Sequence, residues 1–201
     1  MPTIYDLKPR FQALLRPLSD GLAGAGVTPN QVTLAALLLS LLNGAAISLF
    51  PQQAWPLLLL PPVLFLRMAL NAIDGMLARE HAMQSRLGAI LNELGDVVSD
   101  SVLYLPLALV AGVDPRLVVL IVLAAVMGEM AGVIGTQIGA SRRYDGPLGK
   151  SDRAFVFGLL ALLLGLGVPA GLWVSLLLGV TLALALLTIL NRARQALREA
   201  A

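Results

Sequence analysis

The sequence contains no cysteine and a single histidine, His81. These absences exclude disulfides, thiolate nucleophiles and zinc sites built on Cys or clustered His, and they leave a Ser-His-Asp triad only one possible base. Charge is also scarce: 13% of the 201 residues are Asp, Glu, Lys or Arg, against about 25% in a typical soluble domain. Aromatic residues make up only 5%, and what fills the chain is aliphatic, with 58% of residues hydrophobic. So few charges cannot coat a water-facing surface, and so much apolar surface cannot hide in one small core. Disordered, collagenous, coiled-coil and soluble nucleic-acid-binding classes are thereby excluded, and no nucleic-acid partner is expected. The class that remains is an all-α, polytopic integral membrane protein.

A membrane-crossing helix takes about 20 mostly apolar residues to traverse about 30 Å of hydrocarbon. Six stretches meet that need, at roughly 31–50, 55–78, 87–112, 117–139, 153–168 and 171–190. They divide the chain into an N-terminal segment 1–30, a six-helix transmembrane domain 31–190 and a basic tail 191–201. In the N-terminal segment Leu7, Phe11, Leu14, Leu15, Leu18 and Leu22 recur at helical spacing, with Lys8, Arg10 and Arg16 between them. That pattern predicts an amphipathic helix, lying in the membrane interface or packed on the loops. Thr28-Pro29-Asn30-Gln31 then reads as a helix start, with Thr28 capping, Pro29 in the first helical position and Gln31 completing a capping box.

Positive charge sets the orientation. Lys8, Arg10, Arg16, Arg79, Arg86, Arg142, Arg143, Lys150, Arg153, Arg192, Arg194 and Arg198 all fall on one side of a six-span chain. Arg116 alone falls on the other, and Arg67 lies within a span. The basic side is cytoplasmic, so both termini are expected there.

Six charged residues lie inside the expected spans: Arg67, Asp74, Glu93, Asp96, Asp100 and Glu129. Each costs at least about 2.5–3.5 kcal/mol at a helix centre, so each needs a reason. Arg67, Asn71, Asp74 and Ala78 share one face of the second span; Gly88, Asn92, Asp96 and Asp100 recur every four residues along the third. The short 80–86 loop makes these helices antiparallel neighbours, so the two stripes can face each other just below the cytoplasmic surface. Converging oxygen ligands without His or Cys suit a hard cation such as Mg²⁺, Mn²⁺ or Ca²⁺. An interhelical hydrogen-bond network or a proton path would use the same residues, and a small ion-coupled carrier is the functional class that a proton path implies. Gly75, Ala78 and Gly88 either leave room for a ligand or allow close helix packing. Glu129 is expected to pair with Arg67. Trp55 and Trp173 read as interfacial anchors, and His81 as a solvated loop residue.

The run Asn71-Ala72-Ile73-Asp74-Gly75-Met76-Leu77-Ala78-Arg79, followed by Gly88, Asn92 and Asp96, resembles the signature of the CDP-alcohol phosphatidyltransferases, D-x-x-D-G-x-x-A-R, about eight residues, G-x-x-x-D-x-x-x-D. Every spacing fits, and the six-span layout and the Gly-Val-Thr-Pro-Asn start of span one are similar too. The resemblance implies an enzyme of phospholipid biosynthesis, often a homodimer. It would transfer the phosphatidyl (substituted phosphoryl) group of a CDP-linked lipid such as CDP-diacylglycerol, or of another CDP-alcohol, to a small alcohol acceptor, with release of CMP. It implies divalent cations, Mg²⁺ or Mn²⁺, on the pyrophosphate. By position, Asn71, Asp74 and Asn92 fall at metal-binding places, and Asp96 at the metal-adjacent base. Asp74, Gly75, Ala78, Arg79 and Gly88 would shape the nucleotide pocket. Two signature carboxylates are amides here, at Asn71 and Asn92, so four formal negative charges become two. An Asn carbonyl can ligate a hard cation but adds no charge. Asp100, one turn beyond Asp96, and Glu93 are the acids placed to compensate. A family member that binds the CDP-lipid or a partner without turnover is the reading those amides favour. The implied location is a bacterial inner membrane.

A second basic segment, Ser141-Arg142-Arg143-Tyr144-Asp145-Gly146-Pro147-Leu148-Gly149-Lys150-Ser151-Asp152-Arg153, combines four cations, a Gly-Pro turn and a helix start near Ser151. It reads as an anion pocket or as ordinary positive-inside anchoring. In similar enzymes this region helps bind a phosphate of the acceptor or of the lipid, which points to Arg142, Lys150 and Arg153. Gly149-Lys150-Ser151 is not a P-loop: Tyr144 stands where the earlier glycine belongs, and no strand precedes it.

Because the chain has no cysteine, the topology is directly testable. A single cysteine at Ser141 or Ser151 is expected to react with an impermeant maleimide only from the cytoplasmic side, and one at Gln52 or Asp114 only from the other side. Labelling of both pairs from one side would contradict the six-span reading.

Overall fold

The computed structural model describes residues 4–200, with side chains from Phe11 onward; Leu7, Lys8 and Arg10 of the amphipathic pattern lie outside the described side chains. Among the described residues there are seven α-helices and no strand: α1 (Ile4–Gly24), α2 (Pro29–Leu49), α3 (Ala54–Glu80), α4 (Arg86–Tyr104), α5 (Pro115–Gln137), α6 (Lys150–Gly165) and α7 (Leu172–Ala200), with a 3-10 turn over Leu105–Leu109 after α4. The cap of α2 forms as the sequence predicts. Thr28 N–H donates to Gln31 Oε1 at 2.9 Å, and Gln31 N–H to Thr28 Oγ1 at 3.4 Å. At α5, Asp114 accepts from Arg116 N–H at 2.9 Å, and Pro115 fills the first helical position.

Four helices, α2, α3, α5 and α7, are long and apolar enough to cross a bilayer. Two of the six expected spans fall short for distinct reasons. The helix α6 has 16 residues, roughly 24 Å at 1.5 Å per residue, and its first turn carries Lys150, Asp152 and Arg153. The helix α4 carries Arg86, Glu93, Asp96 and Asp100 within 19 residues and tightens into the 3-10 turn at Pro106. The α7 helix runs on through the segment read as a tail, and it buries Arg192 and Ala196 there.

By contacts the chain divides into two units. One runs to Leu42 and resumes over Pro62–Ser99; the other comprises Asn43–Pro61 and everything from Asp100. In the first unit, Val32 of α2 and Ile73 and Leu77 of α3 form a buried cluster, on which Leu15, Leu22 and Val27 pack. The apolar residues of α1 are thus split between two faces. Leu15 and Leu22 face the chain and Phe11 meets Phe65 edge to face, while Leu14 and Leu18 are exposed. Arg16 clamps Glu80 through two 3.0 Å hydrogen bonds.

In the second unit α5 packs along α7, where Ala124, Ala185 and Leu148 are buried together. Tyr104 stacks on Phe157 of α6 with ring centroids 4.3 Å apart. The loop after α5 lies flush on α7 because Gly146 has φ +134 and no Cβ; one there would sit 2.5 Å from Thr188 Cγ2. Thr188 in turn accepts from Leu148 N–H at 3.0 Å.

The tightest helix approach is at Gly44, where a Cβ would fall 2.1 Å from the carbonyl oxygen of Val102. Gly44→Ala is therefore expected to cost about 1–3 kcal/mol, as overpacking does. Gly179→Ala, at a helical position with open space around it, is expected to be neutral or slightly stabilising. Thermal unfolding in detergent checks the contrast; equal effects would contradict it.

Candidate functional site

The first cluster of interest lies on the α3–α4 hairpin, within the first unit. The sequence sets the hairpin locally. The helix α3 ends with His81 N–H on Leu77 carbonyl (3.3 Å) and Met83 N–H on Ala78 carbonyl (3.1 Å), and Ala82 takes the left-handed conformation at φ +53. Ser85 Oγ then accepts from Gly88 N–H at 2.9 Å, capping α4. His81 is not merely solvated: its Nε2 lies 3.1 Å from Asp20 Oδ1 on α1.

The predicted stripes do meet. Asn71 Nδ2 donates to Asp96 Oδ1 at 3.0 Å. Arg67, 3% exposed, donates through Nη2 to the Asp96 carbonyl at 3.1 Å and reaches Asp96 Oδ1 at 3.5 Å. Arg67 thus serves Asp96, whereas Glu129 is met by the three guanidinium groups described below. Asp74 is buried, and its Oδ2 accepts from Thr33 Oγ1 of α2 at 2.8 Å. Asn92 is exposed one turn before Asp96. The Arg79 guanidinium folds over Gly75, where a Cβ would approach its Nη2 to 3.0 Å. A Cβ on Gly88 would meet Asn30 Oδ1 at 2.8 Å and Ser85 Oγ at 2.9 Å. Gly75 and Gly88 therefore allow polar groups to approach the backbone. Ala78, the remaining small signature position, is half-buried on α3.

Among the described residues no group of three or more His, Asp or Glu converges in a way that could hold a metal. The chemical cause is the pair of amides: only Asp74 and Asp96 supply charge where the signature has four acids. The donors at the four positions are nonetheless all oxygen-bearing, which fits a hard divalent cation, at lower charge than a four-carboxylate site.

The second cluster lies within the second unit and is more tightly paired than the sequence suggested. Glu129 of α5 meets three guanidinium groups: Arg153 Nη2 at 3.0 Å, Arg192 Nη1 at 3.2 Å and Arg142 Nη2 at 3.4 Å. Arg153, 2% exposed, also holds Asp100 at 3.1 Å. Arg153 thus gives Asp100 a buried counter-ion. Arg192, also 2% exposed, donates to the Gly128 carbonyl at 2.7 Å and to the Asp145 carbonyl at 3.2 Å. Arg142 additionally lies 4.5 Å over the exposed Tyr144 ring, and Lys150 is half-buried in the first turn of α6. Arg143 forms a fork on Asp145, at 2.7 and 2.9 Å, and pairs with Glu199. The hydrogen bonds from Arg143 hold the Asp145 carboxyl below the ordinary carboxylate range.

Sequence reasoning missed two members of these clusters. Arg192 read as a tail charge, although Thr181, Ala185, Thr188, Arg192 and Ala196 share one small or polar helical face that marks a buried stripe. Thr33 read as one residue of an apolar span, and no signal short of the fold ties it to Asp74.

A helical membrane protein with an oxygen-lined hairpin and a separate arginine cluster is the class these features define. Comparison makes the assignment specific. The family model for CDP-alcohol phosphatidyltransferase matches residues 26–191. The chain is 48% identical over 195 residues to the inner membrane protein YnbA of Escherichia coli (strain K12), covering 97% of this chain and 96% of that one. It is 31% identical over 156 residues to the phosphatidylinositol phosphate synthase of Mycolicibacterium smegmatis, covering 75% and 68%. The crystal structure of Mycobacterium tuberculosis phosphatidylinositol phosphate synthase with CDP-DAG bound superposes with a TM-score of 0.75 at 19% identity, covering 90% of this chain and 92% of that one. The chain belongs to the CDP-alcohol phosphatidyltransferase family, transferases of substituted phosphate groups that serve phospholipid biosynthesis.

Removing one partner of a buried ionic cluster leaves charge uncompensated, at about 3–5 kcal/mol. Glu129→Gln is expected to lose stability on that scale, whereas Glu80→Gln, which breaks the exposed pair with Arg16, is expected to shift the unfolding temperature little. Equal shifts in a thermal unfolding assay would show that the Glu129 cluster is not the stronger support.

Proposed function

We propose that the protein transfers the phosphatidyl group of CDP-diacylglycerol to a small alcohol that itself carries a phosphate, releasing CMP, in a bacterial inner membrane. The observation that carries this reading is the placement of Asp96, held by Arg67 and Asn71 in the unit that also buries Asp74. Asp96 takes the proton of the acceptor hydroxyl. That oxygen forms a bond to the phosphatidyl phosphorus, the phosphorus–oxygen bond to CMP breaks, and CMP leaves with the electron pair. Arg67 and Asn71 fix the direction of the accepting carboxylate. Asp74, Asp96 and the amide oxygens of Asn71 and Asn92 would hold a divalent cation, Mg²⁺ or Mn²⁺, which would supply charge neutralisation at the pyrophosphate. Gly75, Ala78, Arg79 and Gly88 shape the nucleotide pocket, with the Arg79 guanidinium offered to phosphate.

Arg142, Lys150 and Arg153, with Arg192 added by the fold, are the cations the second unit offers to a phosphate; Arg142 and Lys150 are half-buried, while Arg153 and Arg192 are buried. Relatives named for phosphatidylinositol phosphate and archaetidylinositol phosphate synthesis support a phosphorylated acceptor, and solved relatives with CDP-DAG, or with manganese and citrate, support the donor and the cation. Six spans, cytoplasmic termini, an interfacial α1 with Leu14 and Leu18 in the lipid, and a homodimer complete the proposal.

The second reading, a family member that binds CDP-lipid without turnover, is favoured by Asn71 and Asn92 alone. Purified protein with CDP-diacylglycerol and a panel of neutral and phosphorylated alcohols separates the two. We expect divalent-dependent CMP release with a phosphorylated acceptor, falling at least about 100-fold in Asp96→Asn, the loss typical of a missing general base. Metal-dependent CDP binding with no CMP release from any acceptor would favour the binder. Neither binding nor release would sink both.

A further inference from the structure

The buried hydroxyl of Thr33 lies outside the signature and outside every site residue named from the sequence. It donates to Asp74 Oδ2 at 2.8 Å. The residue is 9% exposed, so this bond is made away from competing water. Thr33 is fixed from three directions. Its Oγ1 also approaches the Pro29 carbonyl at 3.1 Å, in the first turn of α2. Its methyl faces Gly95 of α4, where an added Cβ would sit 3.5 Å from Cγ2. The first turn of α2 is in turn locked by the Thr28–Gln31 capping box.

Thr33 therefore wedges between α3 and α4 and presents its hydroxyl to a signature carboxylate. A carboxylate on a freely turning χ2 offers its oxygens in many directions; one oxygen held by a 2.8 Å hydrogen bond restricts that rotation. We infer that Thr33 is a positioning residue for Asp74, orienting its carboxylate toward the cation or nucleotide that this acid contacts. The inference rests on the role proposed for Asp74. It matters more here than it would beside four acids, because only two carboxylates remain to hold the ligand.

The test separates hydroxyl from methyl. Thr33→Val keeps the shape and loses the donor; Thr33→Ser keeps the donor and loses the methyl against Gly95. Mn²⁺ binding in the presence of CDP, followed by electron paramagnetic resonance on the full-length protein in detergent, is the readout, with unliganded thermal unfolding as the control. Loss of an outer partner of a ligating group typically weakens metal affinity roughly 10–100-fold. That loss is expected in Thr33→Val, with affinity restored in Thr33→Ser. Unchanged affinity in Thr33→Val overturns the inference, as does equal loss in both variants, which would assign the effect to packing against Gly95. If Thr33→Val fails to fold, the serine variant decides alone: retained affinity supports the hydroxyl, and lost affinity overturns it. Absence of CDP-dependent Mn²⁺ binding in the wild type removes the proposed role of Asp74 and the inference with it, an outcome distinct from a wild type that binds and a valine variant that binds equally.

Discussion

An ionised side chain among apolar neighbours has to find its partner inside the protein, because neither lipid nor core supplies one. That constraint organises this chain. Among the described residues, the buried charges find such partners: Arg67 in Asp96, Arg153 in Asp100 and Glu129, Arg192 in Glu129 and two backbone carbonyls, and Asp74 in the Thr33 hydroxyl. These pairings tie α3 to α4 in one unit, and α4, α5, α6 and α7 to one another in the other. The helices between them present leucines outward, as a lipid-facing surface requires, and contribute shape without direction.

The same constraint explains how the signature tolerates two amides. Four carboxylates in one small space repel each other unless cations stand among them. With Asn71 in place of an acid, the amide itself donates to Asp96, an attraction where two acids would repel. The exchange lowers the charge available to a cation and raises the importance of whatever aims the remaining carboxylates. Arg67 and Asn71 bond to Asp96, and Thr33 bonds to Asp74, from three different turns of helix. The arginine cluster is more densely paired: Glu129 meets three guanidinium groups, and Arg153 also holds Asp100.

Much of this was legible in the sequence, and for identifiable reasons. Helix starts were readable because Thr28, Pro29, Gln31 and Asp114 act on their own backbone neighbourhood. The facing stripes were readable because Asn71, Asp74, Asn92 and Asp96 repeat at helical spacing on two helices joined by a short loop. Pairings across long separations were not. Arg67 at a four-residue spacing from Asn71 gives no hint whether it turns to Asp96 or to Glu129. The pairing of Asp100 with Arg153, 53 positions later, leaves no trace in local spacing. Arg192 looks like a membrane-surface charge until α7 is seen to continue past the bilayer-length stretch. Span counting by apolar length met its limit at α4 and α6, where charged residues and a short helix set those segments apart from the four long apolar helices.

The central claim is that a site with only two carboxylates still holds a divalent cation at the signature hairpin. Crystals grown with CDP and Mn²⁺, with anomalous diffraction collected at the manganese edge, test it most directly. The account predicts a peak within coordination distance of the Asp74 and Asp96 carboxylates. No peak there in crystals that show bound CDP, or manganese elsewhere alone, would contradict it.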